Sequence, residues 1–316
     1  MYESNRPSTA PPPRWQIATA MGVVYLIWGS TYLAIRIAIE TLPPFLIAGT
    51  RYVVAGAVLY LWTRWRRVPK PERVHWRSAT IIGGLLLLGG NGGVCWAEQR
   101  VPSGLTALII GTTPLWMLLL DWLWHGAARP SARMVLGLAC GFAGIGLLVS
   151  PGQFAGGSHV DPVGAAVLIF ATLTWAAGSL YSRRAPLPHA PLLTTAMEMI
   201  CGGGLLLAAS TITGEWMRLG QTHVSLRSAL ALGYLIVFGA LVGFTAYVWL
   251  LRVTTTARVS TYAYVNPLVA VYLGWALAGE PVTLRTVLAA AAIIFAVVII
   301  ISHPPAEPEQ APCEPA

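Results

Sequence analysis

Charge is what this sequence has least of. Only 10% of its 316 residues are charged, where soluble domains carry about a quarter, and 56% fall in the hydrophobic set. That excludes the water-exposed surface of an ordinary globular fold. The only lysine, Lys70, lies in a basic loop, so a P-loop is absent and with it ATP-driven pumping by this chain alone. Of four cysteines, Cys95, Cys140 and Cys201 sit inside apolar stretches and Cys313 in the tail, with no CxxC or paired-ligand spacing. They read as small buried hydrophobes rather than disulfide partners or metal ligands. The six histidines, His75, His125, His159, His189, His223 and His303, fall in loops or at the ends of apolar runs, and no HExxH or GxSxG pattern occurs. The reading is therefore of no enzyme, no metal and no cofactor.

What is abundant is long apolar segments, at about 15–38, 44–63, 78–97, 103–124, 133–150, 162–182, 190–212, 228–250, 257–278 and 284–302. Each is bounded by Pro, Gly or charge. A bilayer core demands that every backbone N–H and C=O be paired within the segment, so runs of this length are expected as helices, not barrel strands. The expected fold is an all-α integral membrane protein of ten transmembrane helices. Residues 1–14, polar and proline-rich, and the Pro/Glu-rich tail 303–316 are expected to be disordered and cytoplasmic. The first apolar run exceeds a signal-peptide core in length and is expected to stay as helix 1.

A net charge of +8 raises nucleic acid as a partner, but the basic residues cluster at span ends rather than on an amphipathic face. With the N-terminus inside, one side receives fourteen Lys and Arg, among them Arg64, Arg66, Arg67, Lys70, Arg73, Arg77, Arg183 and Arg184. The other receives Arg36, Arg100, Arg218, Arg227 and Arg285. This bias predicts both termini in the cytoplasm.

The first half returns in the second at a nearly constant offset. Trp28 matches Trp175 and Arg51 matches Glu198, both 147 residues on, while Thr113-Pro114 matches Asn266-Pro267 at 153. Pro130…Arg133-x-Val135-Leu136-Gly137 likewise resembles Pro281…Arg285-x-Val287-Leu288-Ala289. A duplicated five-helix unit must enter the membrane from opposite sides, giving inverted repeats at 15–150 and 151–302 around a central cavity.

Several of these residues carry a resemblance. Trp28-Gly29-Ser30-Thr31-Tyr32, Arg51, Ala97-Glu98-Gln99-Arg100-Val101-Pro102-Ser103-Gly104, Thr113-Pro114, Asn266-Pro267 and Gly279-Glu280 resemble the EamA-type transporters of the drug/metabolite transporter superfamily. The resemblance covers about residues 15–302. It implies ten helices in two repeats, a bacterial inner-membrane location, and export of amino acids, other metabolites or toxic compounds.

Pro114 and Pro267 each remove a backbone bond, freeing the carbonyls of Ile110 and Ala263, and are expected as paired hinges beside the cavity. Thr113 and Asn266, just before them, are candidates for hydrogen bonds to a solute or between helices. Trp28 with Tyr32, and Tyr262 with Asn266, share a helix face. Asn91, Trp96, Trp175 and Tyr247 extend the candidate substrate-binding wall. Trp62, Trp65, Trp76, Trp122, Trp124 and Trp216 read as interfacial anchors, and Trp96 fits either set. Arg51 and Glu198 are the costliest residues at membrane depth, and invite either a charge pair or gate across the two-fold axis, or a local partner each. Proton coupling would need a titrating carboxylate, for which Glu198 and Glu98 are candidates.

Gly83-Gly84, the run Gly89–Gly93 and the ridge Gly137, Gly141, Gly144 read as helix-packing surfaces, and the last leaves monomer and homodimer both open. The expected partners are thus a small solute and the lipid bilayer, with no nucleic acid. The rivals to a secondary transporter working by alternating access are a membrane-embedded enzyme and a non-transporting sensor or channel.

Overall fold

The computed structural model describes residues 13–125, 132–149, 161–220, 223–254 and 262–302. The N-terminal residues 1–12, the tail 303–316, the repeat boundary near 150 and the start of the 257–278 stretch lie outside them. Among the described residues the secondary structure is helical throughout.

Helix α1 spans Arg14–Ala38 and α2 spans Pro44–Trp65. Helix α3 runs Arg73–Gly83, a π-helical Gly84–Gly92, then Gly93–Ala97. Helix α4 is broken into Ser103–Ile110 and Thr113–His125, and α5 is Ala132–Val149. In the second half come α6, Pro162–Ser182, and α7, Pro191–Ile212. Helix α8 runs Leu226–Tyr234, a π-helical Leu235–Val242, then Gly243–Val253, followed by α9, Tyr262–Ala278, and α10, Leu284–Ser302. Seven of these stretches are long and apolar enough to cross a membrane, and three shorter apolar helices lie at Val135–Leu147, Val265–Ala278 and Leu284–Ile299. The apolar runs thus set the helix positions to within a few residues, and α3 begins earlier than its apolar run, at Arg73.

Two features repeat between the halves. The π-helical stretches occupy the third helix of each, with first residues 151 apart, Gly84 and Leu235. Helices α2 and α7 pack through small residues that exchange places. A Cβ on Gly56 would stand 3.0 Å from the Ala196 carbonyl, and one on Gly203 would stand 3.1 Å from that of Gly49. Both pairs keep the 147-residue offset.

Helix direction follows from two carboxylates. Glu215, just past the end of α7, accepts Phe45 N–H at 3.3 Å and Leu46 N–H at 2.8 Å at the start of α2. Glu280, just past the end of α9, accepts Ser103 N–H at 2.8 Å and Gly104 N–H at 3.0 Å at the start of α4. So α2 runs antiparallel to α7, and α4 to α9. Each glutamate follows a glycine with positive φ, Gly214 at 70° and Gly279 at 66°. That left-handed step turns the chain back over the neighbouring helix start, and glycine takes it without a Cβ clash. Helix N-termini present unpaired N–H groups, which a carboxylate satisfies with charge-assisted bonds.

Around this axis α5 packs on α10, α1 on α8 and α9, and α6 on α3 and α4. The first helix of each half therefore leans on the third and fourth helices of the other.

Candidate functional site

The crossed packing assembles an aromatic cluster from α1, α8 and α9. Trp28 has its ring centroid 5.0 Å from Tyr247, 5.3 Å from Tyr262 and 5.3 Å from Phe244, and Tyr247 lies 6.0 Å from Tyr262. The indole N–H of Trp28 donates to the Gly239 carbonyl at 3.3 Å, inside the π-helical stretch of α8. Trp175, the repeat counterpart, lies over Gly90 in the π-helical stretch of α3, so close that a Cβ on Gly90 would stand 2.8 Å from the ring. A π-helical turn widens the backbone by one residue per turn and commonly marks a functional region.

From the cluster the rings continue inward. Phe244 meets Tyr52 edge-on at 6.4 Å, and the Arg51 guanidinium lies 4.3 Å over the Tyr52 ring. Arg51 also donates to the Tyr52 hydroxyl. Tyr32 stands within electrostatic reach of Tyr52 and Glu98. Sequence reasoning missed Phe244 and Tyr52. The signal was available for the first, three residues before Tyr247 on the same helical face. Tyr52, beside Arg51 in sequence, needed the packing of α8 on α2 to be noticed.

The remaining predicted residues are placed as follows. Asn91 accepts from the Cys95 thiol at 3.6 Å within α3. Trp96 lies at the end of α3 with the Arg100 guanidinium 4.8 Å above its ring, apart from the cluster. Helix α4 breaks just ahead of Pro114, and the Thr113 hydroxyl takes up the Ile110 carbonyl at 2.6 Å, while Thr112 takes that of Ile109 at 2.5 Å. Pro267 lies within the continuous α9 and packs on α4, where a Cβ on Gly111 would stand 2.9 Å from its ring. Asn266 is 5% exposed, and its Oδ1 has no hydrogen-bond partner.

Arg51 and Glu198 do not pair, although their helices pack along their length. Each is the eighth residue of its helix. At 1.5 Å per residue each lies about 10 Å from its own helix start, and antiparallel helices put those starts at opposite ends. The two charges therefore lie at different depths along the packed pair. Glu198 stands within electrostatic reach of Tyr247 instead.

Just beyond α3, Glu98 is fully buried and neither carboxyl oxygen has a hydrogen-bond partner. Burial holds its carboxyl well above the ordinary carboxylate range, Glu280 adds to the effect, and Arg36 and Arg51 oppose it. Arg36 donates to the Glu98 backbone carbonyl and not to its carboxyl.

The same end of the molecule carries a belt of bonds between the halves. Besides Glu215 and Glu280, the Ser228 hydroxyl donates to the Ile37 carbonyl at 2.9 Å, Ser225 N–H donates to Thr41 Oγ1 at 3.2 Å, and Arg100 pairs with Asp161 at 3.2 Å. Backbone N–H bonds from Gly164 and Val163, helped by Arg100, hold the Asp161 carboxyl below its ordinary range. At the opposite end, Arg64 donates to the nearby Val68 carbonyl at 2.6 Å, and Glu72 N–H donates to His75 Nδ1 at 3.1 Å. Those bonds are local.

Comparison with known proteins bears on what this arrangement does. The EamA-like transporter family matches residues 15–150 and again 162–302. The uncharacterized inner membrane transporter YedA of Escherichia coli K12 is 40% identical over 282 residues, 89% of each chain. The uncharacterized transporter YvbV of Bacillus subtilis is 24% identical over 86% of this chain and 87% of its own. A crystal structure 19% identical in sequence superposes with a TM-score of 0.59 over 91% of this chain and 96% of the other, a likeness of fold alone.

Proposed function

Because the chain belongs to the EamA-like transporter family, within the drug/metabolite transporter superfamily, we propose that it exports small metabolites or drugs across a bacterial inner membrane by alternating access. In this reading ten helices form two inverted five-helix repeats, both termini are cytoplasmic, and one chain holds a complete pair of repeats. The observation that carries it is the crossed packing, in which the first helix of each half leans on the third and fourth helices of the other around an aromatic cluster. Cross-half bonds close the end that holds Glu98, Glu215 and Glu280. A carrier closed to one side has such a belt, and two inverted halves can open and close in turn. By the charge bias, the closed end faces the periplasm.

The solute would lie along Trp28, Tyr247, Tyr262 and Phe244, with Asn266 and Arg51 as polar contacts, and Pro114 and Pro267 as the hinges. Purified protein in liposomes should give saturable uptake accelerated by counterflow. Unsaturable ion conduction would make the protein a channel. Accessibility labelling should find the loops near Arg66 and Arg183 on one face of the bilayer, and labelling on opposite faces would rule out the inverted scheme.

A further inference from the structure

Arg51 and Glu98 are opposite charges, both buried and both incompletely bonded. Arg51 is 4% exposed and spends one nitrogen on Tyr52, while its Nε and other terminal nitrogen have no hydrogen-bond partner. Glu98 is 0% exposed with both oxygens unpartnered. The two are within electrostatic reach but form no ion pair. Other groups facing Glu98 are Arg36 and Tyr32 from α1, Cys95 from its own helix and Glu280 beyond α9. None donates a hydrogen bond to its carboxyl.

A guanidinium stays charged at every working pH, and its planar fork fits a carboxylate with two parallel N–H bonds. Enclosed away from water, that charge needs one negative charge nearby. Glu98 supplies it only from beyond bonding distance, so an incoming anion able to bind the free edge of Arg51 would displace it in that role. Arg51 is bordered by aromatic rings, with Tyr52 under its guanidinium, Phe244 against Tyr52 and Trp28 against Phe244. We propose that Arg51 binds the carboxylate of an aromatic monocarboxylate solute, and that Glu98 takes up one proton as that anion arrives.

The proposal deepens the carrier reading and rests on it. Its balance is simple: one anion and one proton enter together, Glu98 passes from carboxylate to carboxylic acid, and the net charge beside Arg51 is unchanged. Ionised Glu98 repels the anion and competes for Arg51, so binding weakens as pH rises through the Glu98 titration, by about tenfold per pH unit. Arg36 keeps its charge throughout and contributes no slope.

Benzoate is the probe, with uncharged benzamide as control, titrated calorimetrically into the full chain in lipid nanodiscs between about pH 6 and about pH 8.5, where benzoate stays ionised. Two buffers of different ionisation enthalpy report proton uptake, expected to rise toward one per benzoate for wild type as pH passes above the Glu98 titration. Glu98→Gln should bind with no uptake and no pH slope. Arg51→Gln should not bind, and Arg51→Lys, which keeps the charge without the fork, should bind at least about tenfold more weakly. The idea is overturned if wild type ignores benzoate, if Glu98→Gln keeps the wild-type slope, or if both folded Arg51 variants bind as wild type does. Counterflow of some other solute, indifferent to benzoate, would overturn it while leaving the carrier reading intact.

Discussion

The two ends of the bundle are built from the same kinds of helix termini, yet among the described residues one is joined across the halves by capping bonds and the other by apolar packing. At one end the starts of α2, α4 and α8 are met by groups from the other half: Glu215, Glu280 and the residues that close α1. At the arginine-rich end the described capping bonds are short-range, such as Arg64 to Val68 and Glu72 to His75, and the contact between halves is an apolar cluster of Ala79, Leu193 and Met197. Among the described residues the ends differ in their capping bonds and not in the apolar helix contacts, which α2 and α7 exchange symmetrically. Capping bonds break one at a time and can be replaced by water, whereas packed apolar surface is lost together.

That contrast is broken most severely by Glu280→Ala. It removes three acceptor contacts, from Ser103 N–H, Ser103 Oγ and Gly104 N–H. The expected loss is about 3 kcal/mol or more, seen as a lower thermal midpoint in detergent, with faster maleimide labelling of a cysteine placed at Ser103. Glu215→Gln comes next. Glu215 is 2% exposed and serves two N–H groups, of which an amide oxygen can serve one, so a loss of about 1–2 kcal/mol is expected in the same melt. An unchanged midpoint in both variants would mean that the belt does not hold this end.

The capping role of neither glutamate was legible in the sequence. Glu280 enters the sequence reading only beside Gly279 in the family resemblance, and its role depends on Gly279 turning it onto a helix start 177 residues earlier. The helices themselves were legible, because spanning length is a property of a local run of residues. A duplication was read from Trp28/Trp175 and the two prolines. The π-helical stretches were not, since a register wider by one residue per turn is chosen by packing and leaves the apolar pattern intact. Nor was the different fate of the prolines. Helix α4 breaks before Pro114, where two threonine hydroxyls absorb the carbonyls of Ile109 and Ile110, while α9 continues through Pro267. Thr112-Thr113 precedes the first proline and Val265-Asn266 the second, so the chemistry able to satisfy a break is present in one half only.

The tryptophan pair sharpens the comparison at a smaller scale. Trp28 donates its N–H to Gly239 across the halves, whereas Trp175 meets Gly90 through ring contact. Trp28→Phe should therefore cost about 1 kcal/mol more than Trp175→Phe in paired melts, the worth of one hydrogen bond. Equal losses would show that the two latches work by packing alone.

The smallest expected effect is at Asp161, which caps α6 and faces Arg100 from within the belt. Its carboxyl is held below the ordinary range by the N–H groups of Gly164 and Val163 and by Arg100. The stabilisation is therefore present in full above the unfolded pKa of about 4 and is lost as pH falls through the lower folded value. Asn is as good a cap as Asp but carries no charge, so Asp161→Asn should keep the first turn of α6 while losing the Arg100 attraction. Hydrogen exchange at the amides of Val163 and Gly164 measures this directly. Protection should be slightly lower in the variant at neutral pH, and the difference should vanish in acid. A difference that persists in acid would assign the loss to the cap and not to the charge, and Arg100–Asp161 would then drop out of the bonds that distinguish this end from the other.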